Sequence, residues 1–212
     1  MGPSVRIASV FPTSVYTVVV PNSGALSASL REAIVQRSAG QNGVSRSNVG
    51  GWQSEIDMLR WGGEAAASLA RIVTEACRRL TANSDGSTPS VAWRPEMWAN
   101  INRVGDSNQN HWHPGSYLSF VYYVDDGYAG SADPALGGEL VFVDPRMPFL
   151  RMRTPGLRHR VAGGNVEEQE TWVRPFSGLL IGFPSFLGHS VRPYHGSGTR
   201  ISIAINMIAR TQ

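Results

Sequence analysis

Two kinds of apolar periodicity divide the chain near residue 90. Before that point Leu26, Leu30, Ala33 and Ile34 recur at helical spacing, as do Leu69, Ile72, Val73, Ala76 and Leu80. Each set falls on one face of a 3.6-residue repeat, so the pattern predicts helices over about 26–34 and 64–80. Asn22 or Ser23 is placed to cap the first helix. Residues 15–20 are β-branched and aromatic, end at Pro21 and read as a strand. Residues 40–51 are rich in Gly, Ser and Asn and predict a loop. Trp52, set at its end, is expected to tuck over the edge of the core. A polar linker follows at 83–89.

Beyond the linker the period changes to two. Strands are predicted at 97–104, 117–124, 138–143, 171–174, 179–183, 190–192 and 200–207, separated by Gly, Pro and Asp turns. Helices followed by a run of antiparallel strands predict a mainly β fold, a β-sandwich or jelly roll (double-stranded β-helix) braced by N-terminal helices. The expected organisation is a single domain over 1–212. Residues 1–90 form a helical support and 91–212 the jelly-roll core. Residues 144–174 form an irregular insertion, since they carry Pro145, Pro148, Pro155, Gly156, Gly163 and Gly164.

Composition narrows the classes. Hydrophobic residues make up 42% and charged residues 17%, which specifies a globular chain. All 19 basic residues are arginine, and the formal charge is +3. The nearest approach to a basic cluster is Arg151, Arg153, Arg158 and Arg160, too short for the stripe that nucleic-acid binders carry. No nucleic-acid partner is expected. Nor is a membrane partner, because no stretch approaches the apolar length a spanning helix needs and no signal peptide is visible. A cytoplasmic location is the expectation. The single cysteine, Cys77, excludes an internal disulfide and sits among apolar helix positions, as a buried structural thiol does.

The candidate chemistry centres on residues 102–113. His111 and His113 lie two apart on an extended segment, so their side chains point the same way and can reach one metal ion. His189 lies far downstream on another predicted strand, and Arg200 opens the last one. One histidine alone is more often structural than ligating. Three on strands, followed by an arginine, read as a non-haem iron site with an anchor for an organic co-substrate. His159 and His195 are expected to be exposed and are not assigned as ligands.

From about residue 96 the chain resembles Fe(II)/2-oxoglutarate-dependent dioxygenases of the prolyl-hydroxylase-like group. Their entry motif is Tyr-x-x-Gly-x-x-Tyr-x-x-His-x-Asp. Here it reads Asn102-x-x-Gly105-x-x-Asn108-x-x-His111-x-His113, with the first ligand in register. Phe120 to Val124 and Gly137-Gly138-Glu139-Leu140 resemble the family's Tyr-Tyr-Leu strand and Gly-Gly turn. His189 to Pro193 and Arg200-Ile201-Ser202 resemble its distal histidine and arginine segments. The region from Ser47 to Ser54, with His111-x-His113-Pro114, is similar to a bacterial and phage branch of these oxygenases.

The resemblance implies Fe(II) held by His111, His113 and His189, and 2-oxoglutarate as co-substrate. Its far carboxylate would meet Arg200, whose guanidinium can form two parallel hydrogen bonds, with Ser202, Tyr123 and Asn102 as further partners. It also implies hydroxylation of an unactivated C–H in a small molecule or peptide, with release of succinate and CO2. Apart from the resemblance, the four arginines of the insertion could attract an acidic substrate or belong to a solvated surface loop balanced by Glu167, Glu168 and Glu170. Helical N-terminal additions often build dimers, so a homodimer is a further expectation. Three positions depart from the motif. His113 stands where the family has a carboxylate, and Asn102 and Asn108 stand where it has Tyr. Asp125, Asp126 and Glu139 are the nearby carboxylates that could complete the site instead. Two other readings stay open: a three-His dioxygenase that uses no 2-oxoglutarate, and a non-enzymatic jelly-roll module with a structural metal.

Overall fold

The computed structural model describes residues 4–147, 154 and 156–211. In chain order these form β1 (Tyr16–Val18), α1 (Ser23–Gly40), β2 (Asn48–Val49), β3 (Trp52–Gln53), α2 (Met58–Trp61) and α3 (Gly63–Leu80). There follow β4 (Val91–Asn102), β5 (Ser107–His111), β6 (Leu118–Asp125), β7 (Leu140–Val143), β8 (Glu170–Val173), β9 (Leu180–Pro184), β10 (His189–Val191) and β11 (Arg200–Thr211). The strands make two antiparallel sheets. The major one has the order β1-β9-β6-β11-β4-β3, the minor one β2-β5-β10-β7-β8. This is the jelly roll expected from the sequence, with the helices on one side.

Strand β11 shows why the fold has that shape. Ile201, Ile203, Ile205 and Met207 are fully buried and join one core cluster with Leu30 and Ile34 of α1 and Leu69, Val73 and Cys77 of α3. Side chains alternate across a strand, so Arg200, Ser202, Ala204 and Asn206 face the opposite way, into the cavity between the sheets. One face of the major sheet is therefore bound to the helices by apolar burial, at about 1.5–3 kcal/mol per large side chain. The other face is left for polar chemistry. A smaller apolar cluster, including Leu140, Phe142, Ile181 and Phe183, closes the sandwich near β7 and β9.

Two glycines are required by close approach. A Cβ on Gly182, in the middle of β9, would lie 2.3 Å from the Phe120 ring. On Gly137, at φ +61°, it would lie 2.0 Å from the carbonyl oxygen of Pro193, which holds the turn before β7 against the segment after β10.

Several expectations change in detail. Asn22 does precede the first helix, but at φ 51° and without a side-chain capping bond. The N-terminal half is more than a helical brace: β1 and β3 extend the major sheet and β2 the minor one. β2 and β3 lie in and just after the predicted 40–51 loop, where two-residue pairings are too short to leave a period. Trp52 is half-buried against the main core, as expected, and donates from Nε1 to the Gln41 carbonyl at 3.0 Å. Within the insertion, β8 is paired to β7 and Arg160 bridges Val166. Pro148, Arg151, Arg153 and Pro155 lie outside the described residues. His159 and His195 are exposed. No helix among the described residues is long and apolar enough to cross a membrane.

Candidate metal centre and co-substrate cavity

Sheet register brings two of the three histidines together. β5 and β10 pair antiparallel with His111 directly opposite His189, and their rings are 4.3 Å apart. His113 lies two residues past the end of β5. Its backbone N–H donates to Ser185 at 3.2 Å, and its carbonyl accepts from the Ser116 N–H at 3.2 Å. That turn swings its ring to 5.0 Å from His111 and 4.9 Å from His189. One ligand atom from each residue falls within 4.8 Å of the others.

The backbone also sets which nitrogen is free. His111 Nδ1 lies 2.8 Å from the Gln109 carbonyl and His189 Nδ1 lies 2.9 Å from the Leu187 carbonyl. A carbonyl only accepts, so both Nδ1 atoms carry the proton and both Nε2 lone pairs remain for a metal. His111 Nε2 makes a long 3.4 Å contact with the Ser47 hydroxyl. Burial holds all three imidazoles neutral. His113 is pushed down to about 3, by desolvation first and then by its two neighbours. His189 is pushed down to about 4 by burial and His111, against the pull of the Leu187 carbonyl. His111 is lowered by burial, opposed by the Gln109 carbonyl. Neutral imidazole is the form that binds metal.

The nearby carboxylates are engaged elsewhere. Glu139 is buried and ion-paired to Arg192 at 3.1 Å and Arg174 at 3.6 Å. Asp125 pairs with Arg31, and Asp126 accepts from the backbone of Tyr128 and Ser177. Among the described residues the metal-sized cluster consists of three imidazoles.

Deeper in the cavity lies Arg200, 1% exposed. It stands opposite Asn102 in the β4–β11 register and donates from Nη1 to Asn102 Oδ1 at 3.1 Å. Its Nε has no hydrogen-bond partner, and neither does the buried hydroxyl of Tyr123. The guanidinium carbon sits 5.1 Å from the Tyr123 ring centre. Ser202, also buried, lies opposite Tyr123. Burial raises the Tyr123 phenol, against the opposing pull of Arg200, so it stays a neutral donor. A buried guanidinium with an unpaired Nε, next to an unpaired phenol, is a receptor for a carboxylate. This orphaned pair, together with an all-nitrogen donor set on one side of the cavity, fits a divalent iron and a bound diacid.

Arg200, Ser202, Tyr123 and the three histidines all line one cavity of about 650 Å³. Asn102 does not. It stands behind Arg200, where sequence reasoning had placed it as a direct contact. Ser119 shares the interior-facing side of β6 with Tyr123, as strand parity predicts; sequence reasoning passed over Trp98, Asn100 and Asn206, which line the same cavity. Strand parity could have found them. Trp98 and Asn100 share the face of Asn102, and Asn206 that of Arg200.

A jelly roll with a histidine cluster at its mouth and a buried arginine at its base defines the class of non-haem iron oxygenases. Residues 96–206 match the 2OG-Fe(II) oxygenase family, and the chain belongs to it. Fe(II) and 2-oxoglutarate are that family's metal and co-substrate, and membership makes the chain an oxidoreductase-type protein. No curated protein matches by sequence. Solved structures match across the fold. A prolyl hydroxylase from Trichoplax adhaerens, in complex with a hypoxia-inducible-factor peptide, has TM-score 0.64 and 16% identity, covering 92% of this chain and 83% of that one. The epimerase SnoN of nogalamycin biosynthesis has TM-score 0.62 and 13% identity, covering 92% and 76%. HygX from Streptomyces hygroscopicus, with nickel and 2-oxoglutarate bound, has TM-score 0.59 and 15% identity, covering 92% and 82%. At these identities the likeness concerns the fold.

Proposed function

We propose that this chain, acting as one domain, is an Fe(II)- and 2-oxoglutarate-dependent oxygenase that hydroxylates an unactivated C–H of a small molecule or peptide. His111, His113 and His189 hold the iron. Arg200 binds the far carboxylate of the co-substrate, with the hydroxyls of Tyr123 and Ser202 as additional donors, and Asn102 fixes the guanidinium from behind. The observation that carries this reading is the unpaired Arg200 Nε beside the unpaired Tyr123 hydroxyl, both buried. A dioxygenase that uses no 2-oxoglutarate has no need of such a clamp. A structural zinc site would be closed by four protein ligands, whereas the cluster here has three and opens onto a cavity.

When bound, iron and 2-oxoglutarate supply the oxidising chemistry, with O2 consumed and succinate and CO2 released. The protein's part is orientation and exclusion of water. The Gln109 and Leu187 carbonyls fix the two imidazole planes. Leu140, Phe183 and Val191 supply an apolar wall beside the histidines. The Phe183 ring meets that of His189 at 4.7 Å and limits its rotation. No side chain is required as a general base.

The test is anaerobic titration with Fe(II) and 2-oxoglutarate, following the visible charge-transfer band of the chelate. The band is expected in the wild type and lost on His189→Ala. Tight Fe(II) binding without a 2-oxoglutarate-dependent band would sink the proposal.

A further inference from the structure

From the lining of the outer cavity we infer that the substrate of this oxygenase presents an uncharged, polyhydroxylated ring, such as a neutral sugar or cyclitol. The inference rests on the reading that the Arg200 end holds the co-substrate. Six residues of strand at about 3.3 Å each put Asn206 about 20 Å along β11 from Arg200. A five-carbon diacid covers less than half of that distance. The remaining wall belongs to the substrate.

That wall is built of neutral polar groups with hydrogen-bonding capacity to spare. Ser119 donates to Asn206 Oδ1 at 2.8 Å, which fixes the amide and leaves its NH2 group to donate elsewhere. Asn206 is 9% exposed and lines the cavity with Trp98, which stands opposite Ala204. Asn100 and Gln53, the latter 5% exposed, line its side wall one and two strands across from Ser202. Among the described residues no side-chain hydrogen bond involves Gln53, Asn100 or the Trp98 indole N–H. Arg46 and Glu55, the other charged residues lining the cavity besides Arg200, are exposed on the β2–β3 segment and its flank.

Energetics then select the ligand. An apolar group entering this space would strip water from several amides without replacing the hydrogen bonds, at about 1–3 kcal/mol for each. An ionic group would be desolvated with no counter-charge on that wall. Sugar hydroxyls are donors and acceptors on adjacent carbons, which is the pattern a primary amide pairs with. The C–H faces of the ring match indole surfaces. Trp98 is buried with its ring 5.6 Å from that of His113, and Trp112 stands 55% exposed at the mouth. A ring held by these groups lies beside the histidine cluster, where a C–H must be presented. Of the four insertion arginines that suggested an acidic substrate, Arg158 and Arg160 do not line this cavity, and Arg151 and Arg153 lie outside the described residues.

Ligand-observed saturation-transfer NMR on the full chain tests this, with and without Zn(II) and 2-oxoglutarate. The probes are methyl β-glucopyranoside and myo-inositol as neutral polyols, glucuronate and glucosamine as charged analogues, and N-acetylglutamine methylamide as a peptide amide. The neutral polyols are expected to bind at least tenfold more tightly than either charged analogue and more tightly than the peptide amide. Gln53→Met and Asn206→Leu should each weaken polyol binding about fivefold, the loss of one neutral hydrogen bond. Circular dichroism checks that each variant is folded, and Ser119→Ala serves as the milder perturbation if Asn206→Leu is not. Preference for a charged analogue or for the peptide amide overturns the inference, as does absence of binding by every neutral polyol. A normal Fe(II)–2-oxoglutarate band with no polyol bound sinks this inference alone. Polyol binding without the band sinks the proposed co-substrate alone.

Discussion

Replacing Arg200 with methionine should leave one measurement nearly unchanged and abolish another. In the protein without ligands the guanidinium is 1% exposed and has one neutral acceptor, Asn102 Oδ1 at 3.1 Å. Among the described residues no carboxylate lies within ion-pairing distance of it. A buried charge so poorly compensated costs several kcal/mol of desolvation. Methionine removes that cost and fills similar volume. Against this stand an orphaned Asn102 acceptor, at about 1–3 kcal/mol, and the lost contact with the Tyr123 ring, worth up to about 2 kcal/mol when desolvated. The terms nearly cancel, so the stability of the ligand-free protein should change by no more than about 1 kcal/mol. Affinity for 2-oxoglutarate should collapse, because removing one partner of a buried charge pair costs about 3–5 kcal/mol, or roughly two to three and a half orders of magnitude in Kd. Urea unfolding of the ligand-free variant gives the first quantity, and anaerobic titration of the Fe(II)-loaded variant gives the second. A loss of more than about 3 kcal/mol in stability with unchanged 2-oxoglutarate affinity would show that Arg200 is a structural ion, refuting the clamp.

Three further outcomes follow from the same geometry. His113→Ala should abolish tight iron binding and His113→Asp should restore part of it, as read by metal content after gel filtration; full occupancy in the alanine variant would mean that another group completes the site. Metal-free protein should lose stability as pH falls, because the unfolded imidazoles take up protons near 6.5 while His113 and His189 in the fold do so only near 3 and 4. The contribution is whole above pH 6.5 and is lost below it, at up to about 1.4 kcal/mol per pH unit for each imidazole; a denaturation midpoint flat from pH 7 to 4.5 would contradict the neutral cluster. Glu139→Gln should weaken the fold by about 1–2 kcal/mol through the Arg174 and Arg192 pairs, both partly exposed, and leave iron binding intact. Iron loss in that variant would place the carboxylate at the metal.

The sequence pattern reached the site further than it reached the wall around it. His111, His113 and His189 could be grouped because each bears chemistry that a strand core rarely needs, and the register of β5 against β10 brings them together. The β11 alternation of isoleucines with Arg200 and Ser202 likewise announced a two-sided strand. Asn206 lies on the same parity but carries no chemistry that marks it in a sequence, and its role depends on Ser119 arriving from β6. Asn102 was placed on the right face but one layer too near the ligand, since register alone decides whether it touches the cavity or the guanidinium. Gln53 and Ser47 lie in the Ser47–Ser54 stretch, which the resemblance marks without giving either a role; Gln53 reaches the cavity by pairing with Asn100 of β4, and the Ser47 carbonyl accepts from the Gln109 N–H of β5.

The measurement closest to the central claim is an anaerobic crystal structure with Fe(II) and 2-oxoglutarate. The account predicts one iron bonded to His111, His113 and His189 with no protein carboxylate, and the far end of the diacid on Arg200 and Tyr123. An iron ligated by Glu139, or a diacid that leaves Arg200 unpaired, would contradict it.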